Sequence, residues 1–285
     1  MPDSRASKGD KREAAREQAR MAREKQARQD KLRRWLIPSG VTVVVLAIVA
    51  VVVLVVSMSG PAPQTTVGPK NMVTDGILFT GRDGTAVATR TAALKPKQLP
   101  SAAASPSGPA QIISYVDWSC SACKAFETTN SHWIEDQVAS GKATLEVRPI
   151  AILNQLYQGS QYSQRANNAA ACVADLDPDA FLTVQDEMYA RQPAETSTGL
   201  TNDQIIAVIH HAGVRDSNVD ACIKGLTFDS WVTAASGRFT SNGSFVNPVT
   251  GRQGTPTIFV NGQFYTGSIN DASVFESFVK KASAG

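Results

Sequence analysis

The chain has 285 residues, enough for one or two domains. Its content of 42% hydrophobic and 19% charged residues excludes a collagen-like chain, a fully disordered chain and a many-pass transporter. The net charge of +3 conceals an asymmetry, because residues 1–34 hold twelve Lys and Arg against six Asp and Glu, whereas the remainder is slightly acidic.

One stretch near the N-terminus is apolar enough to span a bilayer. The run Val41–Val56 has Thr42 as its sole polar residue, and with its flanks the apolar segment covers residues 35–58. As a helix, about 24 residues extend roughly 36 Å, which exceeds a hydrocarbon core of about 30 Å. The basic tail, residues 1–34, precedes it, so the positive-inside rule predicts a single-pass anchor in the cell membrane, a cytoplasmic N-terminus and an extracytoplasmic remainder. A cleaved signal peptide is the alternative, although both segments are long for one.

The basic tail shows no apolar stripe, since it alternates Arg, Glu, Gln and Ala. We expect a solvated helix or a disordered segment held near anionic lipid. No aromatic residue is interleaved with its basic residues, so nucleic-acid binding is not predicted.

Residues 59–110 are predicted to be mostly a linker. Their two ends are rich in Ser, Ala, Pro and Gly, as in Leu94–Pro109. Between these ends, Asp75–Phe79 predicts a short strand followed by a Gly81–Gly84 turn. This segment, at about residues 71–90, is too small for a domain of its own, so we expect it to pack on the domain that begins at about residue 111.

The next segment predicts a strand, a helix and a second strand. The strands are residues 112–116 and Thr144–Ile150, and the helix extends to about Ala139. Such a βαβ unit carries a parallel strand pair and places the motif Asp117–Cys123 at the carboxyl end of the first strand. Trp118 in this motif is equally compatible with a core position and with a substrate contact.

Residues 160–241 are predicted to be almost wholly helical. A helical insertion covers residues 160–227 and contains a helix that opens on a capping box of Thr201 and Gln204. A further helix starts at about Phe228.

The chain then returns to strand character. Thr257–Val260 and Gln263–Thr266 flank Asn261-Gly262, which predicts a type I′ hairpin. A closing amphipathic helix follows. The order predicts an α/β protein with a thioredoxin-like domain, residues 111–285, interrupted by the helical insertion.

Two cysteines, Cys120 and Cys123, stand at the start of the predicted helix that follows the first strand. The unpaired N–H groups of a first helical turn stabilise a thiolate, which is the nucleophile of thiol–disulfide exchange. Cys120 lies nearer the exposed end, so we expect it to be the attacking sulfur and Cys123 to resolve or be released. Half of a zinc site is the alternative, but the chain has no second Cys-x-x-Cys and no histidine pair with ligand spacing.

The other two cysteines, Cys172 and Cys222, lie in predicted helices without a local partner. Four cysteines in an exported domain form an even set with three formal pairings. A structural disulfide that clamps the insertion is the preferred interpretation, and free thiols or a relay pair are the alternatives.

Together these features resemble the DsbA-like branch of the thioredoxin superfamily over about residues 71–283. The resemblance rests on the cysteine motif, the insertion, and Gly254-Thr255-Pro256-Thr257 before the Asn261-Gly262 hairpin. Membrane-anchored bacterial members with a second cysteine pair in the insertion are especially similar. The resemblance implies that Pro256 is a cis-proline beside the cysteine motif, and that Thr255 offers backbone groups to a bound substrate peptide.

The chain also departs from the DsbA-like pattern. Many relatives have a buried acid six residues before the first cysteine, where this chain has Ser114. The nearest carboxylates, Asp117 and Glu127, are candidates for proton handling, although a surface carboxylate or a charge that complements the helix N-terminus is the preferred interpretation of each. The dipeptide Ser121-Ala122 differs from the Pro-His of strongly oxidising relatives and the Gly-Pro of reducing ones, so we expect an intermediate potential.

These inferences predict a tethered thiol–disulfide oxidoreductase that donates the Cys120–Cys123 disulfide to reduced exported proteins through a mixed disulfide, without a cofactor or a metal. The resemblance implies reoxidation by a quinone-linked membrane protein of the DsbB or vitamin-K-epoxide-reductase type. Two alternatives are a tethered reductase or isomerase with reversed electron flow, and a non-catalytic module that binds a peptide or a metal.

Overall fold

The structure, a computed structural model, describes residues 21, 67–101 and 108–284. The predicted anchor and all but Met21 of the predicted basic tail lie outside the described residues. No helix in the described part of the chain is both long and apolar enough to span a bilayer. The chain divides into two units, Met1–Gly60 and Pro61–Gly285, and the sheet lies in the second.

Six strands form one mixed sheet in the spatial order β2-β1-β4-β3-β5-β6. The strands are β1 (Ile77–Arg82), β2 (Thr85–Ala88), β3 (Ala110–Val116), β4 (Ala143–Pro149), β5 (Thr257–Val260) and β6 (Gln263–Phe264). The central pair, β3 and β4, is parallel, and every other neighbouring pair is antiparallel. The predicted parallel pair and the hairpin at Asn261-Gly262 are both confirmed.

Seven α-helices lie in the described ranges beyond Val67. They are α1 (Ser121–Ala139), α2 (Tyr162–Leu176), α3 (Phe181–Ala190), α4 (Asn202–His211), α5 (Ser217–Lys224), α6 (Asp229–Thr240) and α7 (Ala272–Ser283). Short 3-10 helices occupy Asn154–Leu156, Pro178–Ala180 and Gly243–Phe245. The predicted capping box opens α4, because the Gln204 backbone N–H donates to the Thr201 hydroxyl and the Gln204 side chain accepts from the Thr201 N–H.

Alternate residues of β3 face two different helical layers, as expected for a strand buried on both faces. On one face α1 packs beside α7, and the rings of Phe126 and Phe275 meet edge to face at 5.1 Å. On the other face Tyr115 contacts Phe239 of α6 and Phe245. The helices α1 and α7 therefore lie side by side on this face of the sheet.

The helical insertion is organised around α2, of which most residues are buried. A disulfide between Cys172 and Cys222, with an S–S distance of 2.04 Å, links α2 to α5. The preferred interpretation of these two cysteines is thus confirmed, and their disulfide clamps the insertion internally.

The N-terminal strands β1 and β2 form a hairpin that joins the sheet beside β4. At Gly81 a Cβ would lie 2.3 Å from the carbonyl oxygen of Val138, near the end of α1, so the close approach of hairpin and helix requires glycine. The sequence predicted one short strand here, and the structure extends it to a pair.

The segment predicted as a linker, residues 59–110, is in part firmly attached to the domain. Leu94 is buried, and its carbonyl accepts a 2.8 Å hydrogen bond from the Gly68 N–H. Asp75 forms a two-pronged ion pair with Arg238 of α6, at 2.6 and 2.7 Å. Residues 71–90 thus contact the domain through Asp75, as expected. The linker interpretation is wrong only for the described residues 94–101, because Leu94 is buried and the Ser101 N–H donates to the Val73 carbonyl oxygen.

Candidate active site

The two cysteines of the motif lie where β3 ends and α1 begins. Cys120 is the N-cap residue of α1, and its Sγ accepts a 3.4 Å hydrogen bond from the Cys123 backbone N–H. Cys123, one turn into the helix, is fully buried, whereas Cys120 keeps a 5% exposed fraction. Both thiols are unpaired. The geometry places Cys120 at the surface side of the pair and Cys123 behind it.

The loop before β5 forms the opposite wall of the site. The Cys120 thiol donates to the carbonyl oxygen of Thr255 at 3.3 Å. The bond between Thr255 and Pro256 is cis, as the resemblance implies. Because β5 pairs antiparallel with β3 and starts at Thr257, the two strands bring this loop against the cysteine motif.

The surroundings of the two thiols separate their acidities. The pKa of Cys120 is lowered, first because the Cys123 side chain hydrogen-bonds to it. The pKa of Cys123 is raised, mainly by burial. Of the two thiols, Cys120 is therefore the more readily ionised, which makes it the more reactive nucleophile and the better leaving group of the pair.

Asp117, a candidate for proton handling, is fully buried and saturated with hydrogen-bond donors. One oxygen accepts from the backbone N–H and hydroxyl of Ser119 and from the Asn167 amide, at 2.7–2.9 Å. The other accepts from the Ile152 N–H at 3.0 Å and the Ser163 hydroxyl at 2.5 Å. The interpretation of Asp117 as a surface carboxylate is wrong, because this side chain is buried and ties the motif to the segment after β4 and to α2.

Glu127, the second candidate, is also buried rather than on the surface, so that interpretation is wrong here too. It lies four residues after Cys123 on the same face of α1. No hydrogen bond to its carboxyl occurs among the described residues. Burial, helped by the negative charges of Asp186 and Glu135, raises the pKa of Glu127 to about 8.

Tyr189 of α3 is buried close to this pair, and its hydroxyl has no hydrogen-bond partner among the described residues. Its pKa is raised, first by burial and then by the negative charges of Cys123 and Glu127. Ser114, where many relatives have an acid, is buried with an unpaired hydroxyl. The protonatable group nearest to Cys123 on its own helix face is thus Glu127.

Trp118 of the motif is a core residue. It is fully buried, packs on Phe181 at 5.4 Å, and donates its indole N–H to Gln185 at 3.1 Å. The structure therefore decides the open question about Trp118 in favour of the core.

Three residues at this site were not predicted from the sequence. The Tyr157 hydroxyl donates to the Ser119 carbonyl oxygen. Gln192 and Glu195, in the connection between α3 and α4, bond to the backbone of the cysteine motif. No motif or spacing marks these residues, because they reach the site only through the tertiary fold. No group of three or more His, Cys, Asp and Glu is placed to hold a metal ion in the ranges that the structure describes.

The Thioredoxin family matches the chain over residues 102–281. Among solved structures, the reduced disulfide bond oxidoreductase DsbG of Mycobacterium tuberculosis is similar with 27% identity and a TM-score of 0.51, over 62% of this chain and 79% of DsbG. Reduced DsbA of the same organism is similar with 25% identity and a TM-score of 0.51, over 73% of this chain and 99% of DsbA. BdbD of Bacillus subtilis, 17% identical with a TM-score of 0.53, matches 78% of this chain and 100% of its own length and shares the fold. No curated protein matches the chain significantly by sequence. The resemblance to DsbA-like proteins is thereby confirmed.

Proposed function

Because this chain belongs to the thioredoxin family, we propose that its cysteine pair donates disulfides to exported proteins from a position tethered to the membrane. Thiol–disulfide oxidoreductase activity of the DsbA type follows from the family and from the similarity to DsbG and DsbA. The direction of exchange, the substrates and the location are the proposal. The observation that carries it is the unequal pair, a Cys120 with a lowered pKa at the helix N-cap before a buried Cys123.

The donation proceeds in two exchange steps. A substrate thiolate attacks Cys120 Sγ of the oxidised pair, the S–S bond breaks, and Cys123 leaves as a thiolate that takes up a proton. A second substrate thiolate then attacks the substrate sulfur of the mixed disulfide and releases the Cys120 thiolate. The substrate loses two electrons, and the cysteine pair gains them. A low pKa makes Cys120 a good leaving group in the second step, which favours donation.

The buried thiol Cys123 needs a proton source in the first step and a proton acceptor on reoxidation. Glu127 is the group proposed for this transfer, since it lies one turn further along α1 and its pKa of about 8 lets it hold or release a proton near neutral pH. Asp117 is not proposed, because its five hydrogen bonds fix it as an acceptor.

The loop around Pro256 is the proposed contact for the substrate peptide. Thr255 and Pro256 form the wall that faces the Cys120 sulfur, so a peptide whose cysteine reaches Cys120 must pass along them. Thr255 then contributes backbone groups to the peptide, as the resemblance implies.

An oxidising, extracytoplasmic location is supported by the disulfide between Cys172 and Cys222, because such bonds persist outside the cytoplasm. The apolar segment 35–58 and the basic tail support a single-pass anchor with a cytoplasmic N-terminus. A quinone-linked membrane protein of the DsbB or vitamin-K-epoxide-reductase type is the proposed reoxidant. Modification of introduced tail and domain cysteines by a membrane-impermeant maleimide in intact cells tests this topology, and labelling of the tail would contradict it.

The test of direction is the reduction potential of the Cys120–Cys123 pair. The full-length chain in detergent is equilibrated with glutathione buffers, and the oxidised fraction is read by mass after alkylation. A potential of about −120 to −180 mV, between DsbA and protein disulfide isomerase, is expected for a donor, whereas about −270 mV, as in thioredoxin, would indicate a reductase. Cys120→Ala and Cys123→Ala must each abolish disulfide donation, because neither variant can form the Cys120–Cys123 disulfide.

A further inference from the structure

The connection between α3 and α4 is bonded to the backbone on both sides of Cys120. The Gln192 amide donates to the carbonyl oxygens of Trp118 and Cys120, at 3.1 and 3.0 Å. One carboxylate oxygen of Glu195 accepts from the Ser121 backbone N–H at 2.8 Å. A segment about seventy residues further along the chain thus contacts the motif two residues before its first cysteine, at that cysteine, and at the residue after it.

The Ser121 N–H that Glu195 engages belongs to the first residue of α1. The N–H groups at a helix N-terminus and the positive end of the helix dipole stabilise an anion placed there. The Cys120 sulfur, at the N-cap, is one such anion when ionised, and it already accepts from the Cys123 N–H. The Glu195 carboxylate is a second anion at the same helix end, bonded to the residue that directly follows this cysteine.

We propose that Glu195 is a positioning residue that restrains the thiolate of Cys120, because its carboxylate occupies a helix N-terminal donor and adds negative charge beside the sulfur. Gln192 holds the connection in place and adds no charge. The inference rests on the proposed function of the cysteine pair. A second anion at this helix end weakens the stabilisation of the Cys120 thiolate, which favours the expected intermediate potential over a strongly oxidising one.

Other ionisable groups near Cys120 come from each element packed against it. Cys123 lies on α1, Asp117 at the end of β3, Tyr157 after the 3-10 helix Asn154–Leu156, and Tyr189 on α3. Burial raises the pKa of Tyr157 and Tyr189, so both phenols stay neutral at the pH values of thiol titration. The effect of a substitution at Glu195 on the titration of Cys120 can therefore be measured without interference from the titration of these phenols.

Two variants separate charge from hydrogen bonding. Glu195→Gln removes the charge and keeps an acceptor for Ser121, whereas Glu195→Ala removes both. In the full-length chain in detergent, the Cys120 thiolate is titrated by its absorbance at about 240 nm and by the pH dependence of iodoacetamide alkylation. With a unit charge at the partly exposed helix end, we expect each variant to lower the pKa of Cys120 by about half a unit to one unit. At a pH where Cys120 is ionised, the equilibrium constant for oxidation of glutathione by the pair should rise about three- to tenfold, which is ~15 to 30 mV.

Two controls keep the result specific. Asp203→Asn removes an equal charge from the exposed first turn of α4 and should leave the titration unchanged. Gln192→Ala loosens the connection without changing charge and should shift the titration less than Glu195→Gln. The inference would be overturned if the pKa of Cys120 were unchanged in both Glu195 variants. It would also be overturned if Gln192→Ala shifted this pKa as much as Glu195→Gln does. A wild-type potential of about −270 mV would refute the proposed disulfide donation instead and would leave the inference about Glu195 standing, because the titration is read without exchange.

Discussion

Asp117→Asn is expected to destabilise the fold while the folded protein retains thiol–disulfide exchange, with a lowered pKa of Cys120 because the Asp117 charge raises that pKa. The carboxylate is buried, and three donors converge on one oxygen and two on the other. An asparagine keeps the shape, but its NH2 group cannot accept. We expect the NH2 group to take the place of the carboxylate oxygen that accepts fewer hydrogen bonds. That oxygen accepts from the Ile152 N–H and the Ser163 hydroxyl.

The cost follows from those partners. The Ser163 hydroxyl can rotate and accept from the new amide, but the Ile152 backbone N–H stays unpaired, at about 1–3 kcal/mol. The three remaining bonds lose their charge assistance, at a few tenths to about 1 kcal/mol each. Relief from burying a charge offsets part of this loss. We therefore expect Asp117→Asn to lower the free energy of unfolding by about 2–4 kcal/mol. The exchange rate of the folded variant should still rise with pH as in the wild type, because the thiolate is the attacking species in both.

The assay is urea unfolding of the full-length chain in detergent, followed by tryptophan fluorescence, together with the rate of exchange with glutathione between about pH 6 and 9. The exchange rate is measured below the unfolding transition for the wild type and the variant. Ser119→Ala, which removes a single donor to the same carboxylate, is the graded control and should cost less. A variant that is as stable as the wild type but exchanges about tenfold more slowly would refute this reasoning and return Asp117 to proton handling.

Three further predictions concern other buried groups. Folding raises the pKa of Glu127 to about 8 from an unfolded value of about 4.3, so the free energy of unfolding falls as pH rises between these values. Glu127→Gln should abolish this fall, gain a few kcal/mol at about pH 8 in urea unfolding, and slow the exchange that needs the Cys123 proton. Equal pH profiles of wild type and variant would contradict this prediction. Replacing Cys172 and Cys222 together by Ala removes a cross-link with a sequence separation of 50, so the free energy of unfolding should drop by about 4 kcal/mol while exchange by Cys120 is retained. Loss of exchange at a temperature where the variant is folded would instead indicate a redox role for this disulfide. Arg238→Ala leaves Asp75 buried without its ion-pair partner and should lower the free energy of unfolding by about 3 kcal/mol, measured by thermal unfolding. The double variant with Asp75→Ala should recover part of this stability, and no recovery would show that the two residues are not coupled.

The parts of the fold that depend on local pattern could be predicted from the sequence, and the parts that depend on distant partners could not. The parallel pair, the capping box of Thr201 and the hairpin at Asn261-Gly262 are encoded within short stretches of chain, so periodicity and turn chemistry indicate them. The burial of Asp117 is not local, because its partners come from the segment after β4 and from α2. A carboxylate near a helix start is normally exposed, and only the fold shows that donors surround this one.

The same distinction applies at the active site. The cysteine pair follows from its spacing and its place after a strand, and the wall at Thr255 followed only from the resemblance. Glu195 could not be found by either route. It lies in an irregular connection whose composition is typical of an exposed loop, and its contact with Ser121 exists because α3 ends beside the start of α1.

The pairing of β1 with β4 has a consequence for the order in which the domain assembles. Ile77 pairs with Val147, and Asp75 meets Arg238, so the earliest part of the domain to be synthesised depends on contacts with much later parts. The βαβ unit from β3 to β4, by contrast, closes within about 40 residues, and short loops close sooner than long ones. On a chain that emerges N-terminus first, the β1–β2 hairpin therefore has no partner strand until β4 has been synthesised. Its ion pair with Arg238 forms only after α6 has followed.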